Sequence, residues 1–123
     1  MAKKLDIRQL NNLLTGKELA AEIQASSEDL RAFVVIAAYK SGGGRPSKFL
    51  NAADQDTLLF RLGKYEVEKQ YYIDGYWDDV DHYMHNSIHK TGITSIEALE
   101  GELAEFLDDL SALDVSWRVG NPF

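Results

Sequence analysis

The sequence predicts a mainly α, single-domain helical bundle of five or six helices spanning residues 1–123, and three observations lead there. Apolar residues recur at three- and four-residue spacing in several segments, the period of one helix face. Thr-x-x-Glu capping boxes stand in front of two of those segments. Glycine and proline fall mostly between segments rather than inside them. A small β-hairpin near 65–80 and a short C-terminal strand fit the same pattern, with α+β as the alternative class.

Taken in order, Leu5, Ile7, Leu10, Leu13 and Leu14 form a first helical stripe that Gly16 interrupts. Thr15-Gly-Lys-Glu18 then opens a second short helix carrying Leu19, Ala20 and Ile23. Ser26-Ser-Glu-Asp29 supplies hydroxyl caps and first-turn carboxylates for a third, in which Leu30, Phe33, Val34, Ala37 and Ala38 share a face. Val35, Ile36 and Tyr39 are apolar too, so this segment is buried on more than one side, and a buried strand is its rival reading. Gly42 to Gly44 and Pro46 end it, and 41–48 reads as a flexible Gly-rich connector.

Asn51 or Asp54 caps a fourth helix presenting Leu58, Leu59, Leu62 and Tyr65. In Tyr71-Tyr-Ile-Asp-Gly-Tyr-Trp77 the Asp74-Gly75 pair is either a hairpin turn or a break between helices. The helical version is preferred, since Trp77, Val80, Met84 and Ile88 then continue one stripe. Thr94-Ser-Ile-Glu97 opens the best-marked helix, with Ile96, Leu99, Leu103, Phe106, Leu107 and Leu110 on one side and carboxylates off it. Val115 to Val119 is the short terminal strand.

A chain of 123 residues with 45% hydrophobic and 27% charged residues is an ordinary globular sequence. With no cysteine, disulfides, thiolate metal sites and cysteine nucleophiles are excluded. The opening Met-Ala-Lys-Lys-Leu-Asp precedes no apolar run of signal or membrane length, which points to the cytoplasm. The net charge of −7 is segregated: residues 1–48 hold eight Lys/Arg against five Asp/Glu, and residues 49–123 hold five against fifteen. A half with a balance of −10 repels phosphate and attracts basic partners.

Lys40-Ser-Gly-Gly-Gly-Arg-Pro-Ser-Lys48 admits a nucleic-acid reading through Arg45 and Lys48. Its Gly-Arg-Pro resembles the core of an AT-hook, an arm that places arginine in a narrow minor groove. It also resembles the arm that leads into helix-turn-helix domains of resolvase and small-terminase type. The arginine an AT-hook carries before Gly44 is Gly43 here, and the downstream carboxylates oppose docking on phosphates, so a plain connector is favoured.

His82, His85 and His89 follow Asp78 at i, i+4, i+7 and i+11, a narrow stripe if the segment is helical. Imidazoles with a carboxylate suit Zn²⁺ or another divalent transition metal, so a metal-binding protein or metal-dependent enzyme is one alternative function. The plainer reading is an exposed polar stripe, with no cofactor. No nucleophile elbow or triad is present, and a non-enzymatic role is expected.

Tyr71, Tyr72, Tyr76 and Trp77 are interleaved with Asp78, Asp79 and Asp81. Aromatic anchors in an acidic rim suit a binder of a basic protein, because charge speeds encounter and rings supply buried contact. The stretch Leu10 to Ile23, about a tenth of the chain, resembles the opening helices of colicin-D-type bacterial immunity proteins. The expected function is therefore a small acidic cytoplasmic inhibitor of a basic partner such as a toxin or nuclease, like an immunity protein or antitoxin. A DNA-associated role through the GRPSK loop is the remaining alternative.

Overall fold

The computed structural model describes residues 3–40, 58–73 and 84–119, without the side chains of Tyr72, Ile73 and Trp117. Among the described residues three short helices, α1 (Ile7–Leu14), α2 (Gln70–Ile73) and α3 (Ile96–Leu103), accompany five strands: β1 (Leu19–Ile23), β2 (Leu30–Lys40), β3 (Leu58–Glu68), β4 (Met84–Ile93) and β5 (Asp114–Val115). The strands form one antiparallel sheet in the order β4-β3-β2-β1-β5. The helical bundle is thus overturned, and the chain is predominantly β rather than helical.

The largest correction falls on 30–39. This segment is β2, the middle strand, paired over its whole length with β3 from Leu30↔Glu68 to Lys40↔Leu58. Val34, Ile36 and Ala38 face the helices while Phe33 and Ala37 are buried on the opposite face. A strand buried on both faces reads as a continuous apolar run, and such a run contains helical spacings by coincidence. The helix expected around Leu58 to Tyr65 is β3, whose Leu58, Phe60 and Leu62 alternate into the core. The short helix expected after Glu18 is β1. Met84 and Ile88, expected on a helical stripe, lie on β4.

Two helices stand where the spacing puts them. Around α1 the Asp6 side chain accepts from the Gln9 backbone N–H at 2.8 Å while the Gln9 side chain accepts from the Asp6 N–H at 2.9 Å, a reciprocal cap. Thr15 closes this helix instead of opening another, and Gly16 turns the chain at a φ of 98°. Ser95 rather than Thr94 caps α3, accepting from the Ala98 N–H at 3.1 Å. Helix α3 ends at Leu103, and Leu107, Leu110 and Leu113 continue its apolar side through turns. The terminal segment yields only the two-residue β5, which pairs Leu19↔Val115 on β1 before a 3-10 turn at Ser116–Arg118.

The main core lies between the sheet and α1, α3 and the C-terminal turns, with Leu13, Leu19, Leu99 and Leu103 fully buried. Gln9 fastens these layers: its buried amide donates to the Leu110 and Leu113 carbonyls at 2.8 and 2.9 Å. Q9A removes both bonds, leaves the Leu113 carbonyl without this donor and the Leu110 carbonyl with only the Leu113 N–H, and breaks the reciprocal cap. A loss of about 2 kcal/mol is expected, measured as a lower urea midpoint at unchanged m-value. Among the described residues no helix is long and apolar enough to cross a membrane.

Candidate functional site

Helices α1 and α3 cover one face of the sheet, and α2 brings Tyr71 to one end of the opposite face. At one end of that face Phe33, Tyr65, Val67 and Tyr71 bury each other, with the Phe33 and Tyr65 ring centres 5.8 Å apart. The Arg31 guanidinium sits 5.1 Å above Phe33 and makes a two-pronged bond to Glu22 at 2.9 and 3.0 Å. That hydrogen bond holds the Glu22 carboxyl below its ordinary value of 4.5, outweighing burial.

At the other end the side chains shrink. Ala37 and Gly63 floor a groove of about 370 Å³ that Val35, Tyr65, Met84 and His89 wall in. Glu18 and Arg61 reach one another across the groove at 3.2 Å. A methyl group added at Gly63 would meet the His89 Nδ1 at 3.5 Å, an ordinary contact. The groove is therefore a product of small residues on neighbouring strands, and nothing in the spacing of the sequence marks it.

Strand β4 sets the histidines. Opposite the three residues Lys64 to Glu66 of β3 it runs four, Ile88 back to His85; the irregularity falls at Asn86, whose φ is 55°. A second irregularity lies between Lys90 and Ile93, where Gly92 has a φ of 70°. The first one turns the strand over. His85 faces the helix-covered side, with its Nε2 2.9 Å from Glu68 Oε2, while His89 stands over Gly63 on the open side. Over 84–89 the predicted stripe lies on a strand rather than a helix, and these two imidazoles are not brought together. His82 and Asp78 lie outside the described residues, among which no group of three or more His, Asp or Glu could hold a metal ion.

Of the expected partner-binding residues, Tyr71 is 7% exposed and belongs to the aromatic cluster rather than to an open surface. Tyr72 is described only as part of the α2 backbone, and Tyr76, Trp77, Asp78, Asp79 and Asp81 lie outside the described residues, as do Arg45 and Lys48.

Carboxylates described on the helix-bearing side are numerous. Residues 94–114 contain seven Asp and Glu and no Lys or Arg. Their apolar side chains are drawn into the core, which leaves Glu97, Glu105 and Asp108 exposed. Lys90 reaches over from β4 to bond Glu102, and Glu105 at 3.1 Å; these bonds raise its pKa above 10.5. Lys3 donates to the Asp108 carbonyl at 3.2 Å and Arg118 stands 3.7 Å from Asp114, so three cations face seven carboxylates and leave the ridge acidic.

Sequence reasoning missed Glu66. It is 1% exposed and accepts from the Ser26 backbone N–H at 2.5 Å, the Ser26 hydroxyl at 3.0 Å and the Asn86 amide at 2.5 Å, with Lys64 Nζ 3.9 Å away. Burial pushes its pKa up, yet the hydrogen bonds from Ser26 and Asn86, with the Lys64 charge, hold it below 4.5.

No protein-family model, curated protein or solved structure matches this chain.

Proposed function

We propose that this chain is a small acidic cytoplasmic protein that binds and inhibits a basic protein partner, in the manner of an immunity protein or antitoxin, without catalysis of its own. The observation that supports this most is the acidic ridge around α3. Seven carboxylates fall within 94–114 with no cation among them, and three of the exposed ones project from a rigid, core-anchored scaffold. Repulsion within such a ridge costs stability that Lys90 offsets only in part, whereas a basic surface laid against it turns the same charges into attraction.

The test is kinetic. The partner is captured from host cells on the tagged chain at low salt, identified, purified, and mixed with it at rising ionic strength. A basic protein is expected, with an association rate that falls steeply as salt screens the charges. The triple variant E97K/E105K/D108K, which moves the net charge from −7 to −1, should slow association about tenfold and flatten the salt dependence. A partner without basic character, or rates indifferent to both salt and charge reversal, would overturn the proposal.

A further inference from the structure

Against the acidic background, one concave place on the described surface is basic. Arg8 lies on α1, one helical turn before Asn11 and Asn12, so the three share a face. After the turn at Gly16 the Lys17 backbone N–H donates to the Asn12 carbonyl at 2.9 Å, which brings Lys17 back beside that face. Arg118 arrives from the far end of the chain. Pairing of β5 with β1 and the bond from the Ser116 N–H to the Glu18 carbonyl at 3.1 Å carry its 3-10 turn to the same place.

Together these residues line a groove of about 380 Å³ that has no carboxylate among the described residues of its wall. Beside it, Asp114 pairs with Arg118 at 3.7 Å, and the same carboxylate oxygen accepts the Val115 N–H at 2.7 Å. Among the described residues neither Arg8 nor Lys17 has an ion-pair partner. The exposed carbonyls at the end of α1 add little negative charge here, since those of Asn11 and Asn12 accept from the Thr15 and Lys17 N–H groups.

Arg8 and Lys17, with the already partnered Arg118 beside them and the Asn11 and Asn12 amides able to donate, give the groove an excess of positive charge and of donors, the complement of an oxyanion. Guanidinium groups match phosphate oxygens in pairs, and lysine adds a point charge. Ile7, 77% exposed at the edge of the groove, offers an apolar surface beside that charged centre. A groove of this volume is of the size that takes a small ligand rather than a bare ion. We infer that the groove of Arg8, Lys17 and Arg118 binds the phosphate of a nucleotide-sized ligand, with the non-phosphate part lying against Ile7. This site is separate from the acidic ridge, and it stands whether or not the ridge binds a basic protein.

The experiment is an NMR titration of ¹⁵N-labelled protein with inorganic phosphate, AMP, and a short single-stranded oligonucleotide bearing either a 5′-phosphate or a 5′-hydroxyl. Saturable shifts are expected at the amides of Arg8, Asn11, Asn12, Lys17 and Arg118, half-complete near or below about 1 mM. R8A/K17A should weaken them at least about tenfold while leaving the other resonances in place; both side chains are exposed, and K17A alone is a milder second variant. Tight AMP binding would identify a free nucleotide as the source. A preference for the 5′-phosphorylated oligonucleotide over its hydroxyl form would identify a nucleic-acid terminus. Shifts reproduced by sodium chloride at equal ionic strength, shifts unchanged in R8A/K17A, equal binding of both oligonucleotides without AMP binding, or no saturable shift at all would each overturn the inference.

Discussion

Glu66→Ala is expected to lower stability by about 3 kcal/mol, a large share of what a domain of this size possesses. The carboxylate ties the β1–β2 connection, through Ser26, to the β4 irregularity, through Asn86, and the alanine variant removes the acceptor that joins them and the partner of Lys64. Glu66→Gln keeps the shape and part of the acceptor capacity, so it should lose less. The two variants also separate shape from charge. Because the folded pKa of Glu66 is depressed, its ionised form stabilises the protein above the unfolded value of about 4.5. That contribution disappears as pH falls through the lower folded value. The gap in unfolding free energy between wild type and E66Q should therefore be widest near neutrality and shrink on acidification below about pH 4.5, as read from urea titrations at stepped pH. A gap that is constant with pH would mean that the charge contributes nothing.

Phe33→Ala should cost about 3–5 kcal/mol, comparable to the loss of a leucine beneath the helices. Phe33 is fully buried although it points away from both amphipathic helices, because Tyr65, Val67 and Tyr71 enclose it. Val35 is two residues further along the same face, half-buried, where the floor falls away to Ala37 and Gly63. Val35→Ala should accordingly cost less than about 1.5 kcal/mol. Comparable losses for the two variants would mean that the groove end of the face is packed as tightly as the aromatic end. The contrast is read from paired denaturant midpoints.

How far the residues foretold the fold depends on the element. Helices α1 and α3 were legible because each buries one side only and each has a capping residue in place, Asp6 for one and Ser95 for the other, even though the expected cap of α3 was one residue early. Strands β2 and β3 were not, because Val34, Val35 and Ile36 in succession satisfy a helix face and a doubly buried strand equally well. The histidine stripe shows a different limit. A four-residue spacing keeps two side chains on one side of either a helix or a regular strand, but the extra residue at Asn86 sends His85 and His89 to opposite sides. Of the acidic site, the carboxylates of 97–108 were visible as charge, while the seating of Tyr71 in the aromatic cluster was not.

By itself the sequence determined the charge of the protein and its segregation, the absence of thiol chemistry, the two capped helices and the break at Gly16. Those properties belong to residues or to neighbours a turn apart. Tertiary structure alone decided that the apolar middle is a sheet, that Glu66 is buried and ionised, and that Arg8, Lys17 and Arg118 share one groove. The reason is one of magnitude and range. Intrinsic preferences between helix and strand amount to tenths of a kcal/mol up to about 1 kcal/mol per residue. Burying one large apolar side chain is worth about 1.5–3 kcal/mol, and it is the partner across the sheet, many residues away in the chain, that supplies the burial.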